Sequence, residues 1–248
     1  MKYFGLSDIG LIRENNQDSF YYAFNSEQEF LAIVCDGIGG GKAGDVASNI
    51  AKEIFVNNFE QKPVFGSEQE NQKWIHEVIK KANDAIYEDS LTSRTKHGMG
   101  TTLVGILITA VATYVFHLGD SRVYGLYDHE LICFTEDHNL AADLIKSGEM
   151  SEEEAFQHPR GKALTNALGI WSQYKVDVNK VKKGYRYLLL CSDGLHGFIS
   201  ENTIKNVLEE TMSVEEKVRR LIELSNQSGG FDNVSVIIVE EDGGTQHE

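Results

Sequence analysis

Four β-type runs, TTLVGILIT, ATYVFHLGD, SRVYGLY and ELICFT, follow one another in mid-chain with connections of only two or three residues. A parallel pair needs a crossover of about a dozen residues or more, so βαβ units are excluded here and a meander is expected. The opening third reads the same way: KYFGLSD, SFYYAFN and EFLAIVCD, separated by RENNQD and NSEQ, look like an antiparallel start. Strand-like segments resume at YKVDVN and RYLLLCSD, and VSVIIVE closes the pattern.

Helical spacing appears in three places. Ala43, Val46, Ala47, Ile50, Ile54 and Phe55 form one apolar stripe, and Trp74, Val78, Ile79, Ala82 and Ile86 form a second. Val214, Val218, Leu221 and Ile222 form a third, behind a capping box of Ser213 and Glu216. Between Asp137 and Leu168 the sequence turns polar, with a capping box at Ser151 and Glu154 and glycines at 148, 161 and 169, which reads as a helical excursion and a mobile flap. No period repeats and no Pro-rich linker interrupts the chain, whose prolines number two. The expectation is one α+β domain over residues 1–241, two packed antiparallel β-sheets flanked by helices in an α-β-β-α sandwich, with residues 242–248 a frayed tail.

Charge narrows the function. Acidic residues number 38 against 23 basic ones, a net charge of −15, which repels phosphate backbones and anionic membranes and suits metal ions. No run reaches the roughly 20 apolar residues of a membrane span and MKYFGLSDIG lacks a signal-peptide core, so a cytoplasmic protein is expected. Cys35, Cys133 and Cys191 make no CxxC pair and are read as buried strand residues.

The aspartates carry the chemistry. Asp36 ends FLAIVCD, Asp120 ends YVFHLGD, Asp193 ends YLLLCSD, and Asp232 precedes VSVIIV, so each lies at the mouth of an apolar strand. One such residue is explained as a turn former, above all in the pairs Asp36-Gly37 and Asp193-Gly194. Four carboxylates without basic partners repel one another, and a divalent cation is the usual relief. Hard oxygen ligands without His or Cys at ligand spacing favour magnesium or manganese over zinc. Arg13 is the only basic residue in SDIGLIRENNQD. It suits a bidentate grip on a phosphate, or else a surface ion pair with Glu14 or Asp18. The glycines at 37, 39, 40 and 41 do not make a P-loop, because Asp36 and Ala43 stand where Gly and Ser or Thr would be needed. They allow a sharp turn and offer a carbonyl, such as that of Gly37, to a cation.

Taken in order, SDIGLIRENNQDS, VCDGIGGGKAGD, MGTTLV, LGDSR, CSDGL and GGFDNVSVIIV resemble the metal-dependent serine/threonine protein phosphatases of type 2C, in their compact bacterial form, from Lys2 to Glu240. The resemblance implies two Mn²⁺ or Mg²⁺ ions bridged by Asp36, with the Gly37 carbonyl on one and Asp193 and Asp232 on the other. Asp120 with Asp193 would form a weaker third site. Asp18 would hold metal-bound waters, Arg13 the substrate phosphate, and Asn233 would shape its loop. A hydroxide bridging the two metals would attack phosphorus in line, without a phosphoenzyme. The implied partners are phosphorylated proteins, among them a serine/threonine kinase, with neither nucleic acid nor membrane and with a monomeric enzyme.

Two positions depart from the animal relatives. Ile38 stands where they carry a His proposed to protonate the leaving group, and Gln17 replaces a Glu. His138 and His196 are the nearest substitutes by motif, each with a structural alternative, and a metal-bound water could donate instead. A non-catalytic signalling module and a two-metal phosphodiesterase are the competing classes. The complete set Arg13, Asp18, Asp36, Asp193 and Asp232 speaks against the first and the acidic charge against a nucleic-acid substrate.

Overall fold

Central strands that are apolar on both faces organise the molecule. The computed structural model describes residues 1–39, 43–62, 64–171 and 173–241; the glycines at 40 and 41 and the expected tail at 242–248 lie outside them. In chain order come β1 (Lys2–Asp8), β2 (Asp18–Phe24), β3 (Phe30–Ile38), α1 (Ala43–Glu60), α2 (Glu68–Ser90), β4 (Gly100–Thr101), β5 (Leu103–Ile108) and β6 (Thr113–Leu118). There follow β7 (Arg122–Tyr127), β8 (Glu130–Cys133), α3 (Leu140–Lys146), α4 (Glu152–Gln157), β9 (Asp177–Val181), β10 (Tyr187–Cys191), α5 (Asp193–His196), α6 (Glu201–Glu209), α7 (Val214–Gln227) and β11 (Val234–Glu240).

Two antiparallel sheets result, one in the order β1-β11-β10-β7-β8 and the other β2-β3-β5-β6-β9, with β4 added beside the end of β3. On β3, Phe30, Ala32 and Val34 join Leu188, Leu190, Ile237 and Val239 in the core between the sheets. Leu31, Ile33 and Cys35 point the other way, against Phe55, Ile75 and Ile79 of α1 and α2. On β10, Tyr187, Leu189 and Cys191 turn outward to Val207, Val218 and Leu221 of α6 and α7. The period of two thus splits each central strand between an inter-sheet core and a helix-covered core, which is the expected α-β-β-α arrangement.

The meander and the antiparallel start need correction. β5 pairs with β6 and β7 with β8, but β6 and β7 lie in different sheets, as do β1 and β2. The chain leaves one sheet for the other at Gly119, whose φ is +106° and where a Cβ would sit 2.7 Å from the Thr102 side chain. A left-handed residue at that contact turns the chain out of the sheet instead of back along β6. Both expected capping boxes are present, and a third joins Ser67 to Glu70 at the start of α2. Cys35 and Cys191 are buried, whereas Cys133, at the end of the edge strand β8, is half-buried. No described helix is long and apolar enough to cross a membrane.

Candidate active site

All of the singled-out aspartates gather at one end of the sandwich, where strands leave or enter the two sheets. Asp18 opens β2 directly opposite Asp36 near the end of β3. Asp120 follows β6, Asp193 follows β10, and Asp232 precedes β11, the antiparallel neighbour of β10. The MGTTLV segment fixes Asp36 through its backbone: its N–H donates to Thr102 Oγ1 at 3.0 Å, while its carbonyl accepts from Thr102 N at 2.8 Å and Thr101 Oγ1 at 2.9 Å. At Gly37 a Cβ would lie 2.1 Å from the Gly44 carbonyl oxygen, so only glycine lets the first turn of α1 pack this close to β3.

Asp18 crosses between the sheets. Its Oδ2 accepts from Ser192 Oγ and Ser235 Oγ, both at 2.7 Å, and both serines belong to the opposite sheet or its margin. Its Oδ1 is buried without a hydrogen-bond partner. Burial pushes the Asp18 carboxyl up to about 7, against the lowering effect of the two serines, and Asp193 and Asp232 push it the same way. Asp120 is pushed up to about 8 by burial and by Asp193 and Asp137. Burial, then Asp18 and Asp193, hold Asp36 well above the usual carboxylate range, and Asp193 is raised by burial and by Asp232. All four carboxyls are thus shifted toward their neutral forms, the behaviour of buried acids that lie close to one another.

Arg13 takes neither of the partners its sequence neighbourhood suggests. Its Nη2 donates to Asp232 Oδ2 at 2.7 Å, and that bond, opposed by desolvation, raises the guanidinium pKa. Asn233 shapes the loop that carries Arg13, donating through Nδ2 to the carbonyls of Ile9 and Asn15 and accepting from Gln17 N at 2.8 Å. Ser192, Ser235 and Lys162 went unnoticed in the sequence. Lys162 reaches from the flap to within 3.9 Å of Asp193 Oδ2 and lies over the Phe198 ring. A cavity of about 430 Å³ separates the flap residues His158, Pro159, Gly161 and Lys162 from Asp120 and Asp193.

Neither histidine substitute is a free acid. His196 Nε2 donates to the Asp120 carbonyl at 2.9 Å, and burial pushes its pKa down to about 4, so it is neutral at pH 7. His138 faces the other way, with Nε2 3.0 Å from Asp177 Oδ2 and Nδ1 accepting from Gly119 N and Asn166 Nδ2. Among the described residues the trio whose ligand atoms all fall within 4.8 Å of one another is His117, His138 and Asp177, not three of the clustered aspartates, one of which is held by Arg13.

Comparison with known proteins identifies the family. The family model described as Protein phosphatase 2C matches residues 13–227. The serine/threonine phosphatase stp of Listeria monocytogenes is 35% identical over 237 residues, covering 95% of this chain and 94% of its own. The crystal structure of the serine/threonine phosphatase Stp1 from Staphylococcus aureus superposes with a TM-score of 0.90 at 29% identity, over 98% of this chain and 95% of that one. The phosphatase MsPP of Mycobacterium smegmatis, solved in complex with cacodylate, gives a TM-score of 0.82 at 30% identity, over 98% and 99% of the two chains. With the fold, the motif order and close relatives along almost its whole length in agreement, the chain belongs to the protein phosphatase 2C family of serine/threonine protein phosphatases.

Proposed function

We propose that residues 1–241 form one cytoplasmic, monomeric catalytic domain that hydrolyses phosphoserine and phosphothreonine in proteins with two Mn²⁺ or Mg²⁺ ions, opposing a serine/threonine kinase. The observation that carries this reading is the convergence of Asp18, Asp36, Asp120, Asp193 and Asp232 on one strand end beside Arg13. The residues fit divalent cations. The donor set is all hard oxygen, the buried Asp18 Oδ1 has no protein partner, and burial and neighbouring carboxyls oppose the ionisation of four of the aspartates. Asp36 would be shared by the two ions, with the Gly37 carbonyl on one side and Asp193 and Asp232 on the other, and Asp120 with Asp193 would hold a third. When bound, the ions supply an activated water as nucleophile and neutralise charge on the phosphoryl oxygens.

The chain's own residues do the rest. Arg13, half-exposed at the rim, would bind the phosphate through two N–H groups, exchanging its Asp232 bond for the substrate. Asp18 would orient water through its open Oδ1 while Ser192 and Ser235 hold Oδ2. With both rings engaged, neither His138 nor His196 supplies the proton for the leaving alkoxide. The cacodylate complex of the M. smegmatis relative, a tetrahedral oxyanion on the same fold, supports an oxyanion site here.

Phosphate release from a phosphothreonine peptide tests the proposal: turnover with Mn²⁺ and none with EDTA is expected. A folded, metal-binding protein with no turnover would instead be the signalling module. In Arg13→Ala, KM is expected to rise about tenfold while kcat changes less than about threefold, because the guanidinium binds ground and transition state alike. A kcat loss at constant KM would contradict that role.

A further inference from the structure

His138 stands at the neck of the flap, and its ring ties together three segments far apart in sequence. Its backbone N–H donates to Gly119 O and its carbonyl accepts from Thr165 N, so the residue joins the switch between the sheets to the returning end of the flap. The ring repeats the connection. Nδ1 accepts from Gly119 N at 3.2 Å and from Asn166 Nδ2 at 3.0 Å, and Nε2 lies 3.0 Å from Asp177 Oδ2 on β9. Asn166 cannot be turned over without cost, since its Nδ2 also donates to Lys175 O and its Oδ1 accepts from Lys175 N. Two N–H donors on Nδ1 place the ring's proton on Nε2, where Asp177 accepts it.

That tautomer also decides what the histidine trio is. His117 Nε2 lies 2.8 Å from the Glu136 carbonyl, to which it can only donate, so both Nε2 atoms carry protons in this arrangement. A cation at this trio would have to displace the bonds that build it. Within the trio His138 pairs with Asp177 and stacks on the His117 ring, with 4.8 Å between ring centroids.

The neighbouring motif is fastened alongside. Arg122 grips Asp137 through Nε and Nη2, both at 2.8 Å, and Asn139 caps α3 at the entry to the flap. The residue between Asp137 and Asn139 is His138, whose Nδ1 is bonded both to the Asp120 turn and to the flap exit. We propose that His138 is a positioning residue: by receiving the Gly119 and Asn166 N–H groups on one nitrogen, it holds the flap and the Asp120 carboxylate in a single register. This rests on the reading of Asp120 as a ligand of the third cation. The flap wall and Asp120 then face each other across the 430 Å³ cavity at a spacing set by one imidazole.

Isosteres separate the two ring nitrogens. Asn places an acceptor near the Nδ1 position and lacks Nε2, whereas Gln places an amide near Nε2 and leaves Nδ1 empty. In His138→Asn, kcat/KM at limiting Mn²⁺ is expected to stay within about threefold of wild type, and in His138→Gln to fall about tenfold or more and recover as Mn²⁺ is raised. In metal-free protein, the Gly119 and Thr165 amides are expected to exchange about tenfold faster in His138→Gln than in His138→Asn. Parallel losses in both variants, tracking their melting temperatures, would mark a merely structural residue and overturn the proposal, as would no loss in either. Asn166→Ala, which leaves the Gly119 bond in place, keeps the test open should His138→Gln not fold: faster Gly119 exchange supports the coupling and unchanged exchange refutes it. Exchange needs no turnover, so a wild type inactive on phosphopeptides would sink the phosphatase reading and leave the coupling to be judged separately.

Discussion

In Asp36→Asn, hydrolysis of a phosphothreonine peptide is expected to fall by about 10³-fold or more, while the metal-free variant melts higher than the wild type. Both effects have one cause. Asp36 stands opposite Asp18 and within the fields of Asp120, Asp193 and Asp232, and burial together with those charges opposes its ionisation. An amide of the same shape removes a group whose ionisation is opposed by burial and neighbouring carboxyls in the folded chain but not in the unfolded one. The gain should be about 1–2 kcal/mol, or about 2–8 °C for a chain of this size. The same substitution removes the carboxylate that two cations would share, so Mn²⁺ should raise the melting temperature of the wild type far more than that of the variant. Asp193→Asn should behave similarly, through the ligand common to two of the proposed sites. Loss of turnover together with a lower metal-free melting temperature would mean that Asp36 serves the fold as well, contrary to the electrostatic reading.

The second large effect is a stability that falls as pH rises. Asp18 and Asp120 have folded pKa values of about 7 and about 8 against an ordinary 3.8. Below the unfolded value both states bind the proton, and the contribution is fully present. Above it the unfolded chain has lost the proton while the folded chain keeps it, so stability declines until the pH passes the folded value. Asp36 and Asp193 act in the same sense. His117 and His196, held below 6.5 by burial, act in the opposite sense and only under pH 6.5. Metal-free protein should therefore lose melting temperature between pH 6.5 and about 8.5, the window in which the aspartates act unopposed. Saturating Mn²⁺ should flatten or invert that slope, because cations bind the ionised carboxylates. A metal-free melting temperature that rises across this window would contradict the neutral-carboxyl assignment.

Much of this site was legible because its carboxylates interrupt strands that are apolar on both faces. Asp36 after FLAIVC and Asp193 after YLLLCS stand out in a way that an aspartate in an alternating strand would not. The paths between the sheets were not legible. Only Gly119, Asp120 and Ser121 separate β6 from β7, a length that ordinarily makes a hairpin, and the left-handed Gly119 that prevents one looks like any turn glycine. Helix α6 was missed, since Ile204, Val207 and Leu208 are too few to show a period. The serines that hold Asp18 lie 174 and 217 positions away, and nothing local distinguishes them from other strand hydroxyls. Arg13 was read against its sequence neighbours, while its partner Asp232 lies 219 positions further on.

On this account the aspartates would form a divalent-cation site in which burial and neighbouring charge oppose the ionisation of Asp18, Asp36, Asp120 and Asp193 until cations bind. Calorimetric titration of Mn²⁺ into EDTA-treated, dialysed protein at pH 7, repeated in buffers of different ionisation enthalpy, tests it most directly. The expected result is uptake of at least about two ions per chain with a heat that shifts from buffer to buffer, reporting protons released from carboxyls, and a marked loss of both in Asp36→Asn. Uptake that is independent of buffer, or unchanged in Asp36→Asn, would contradict it.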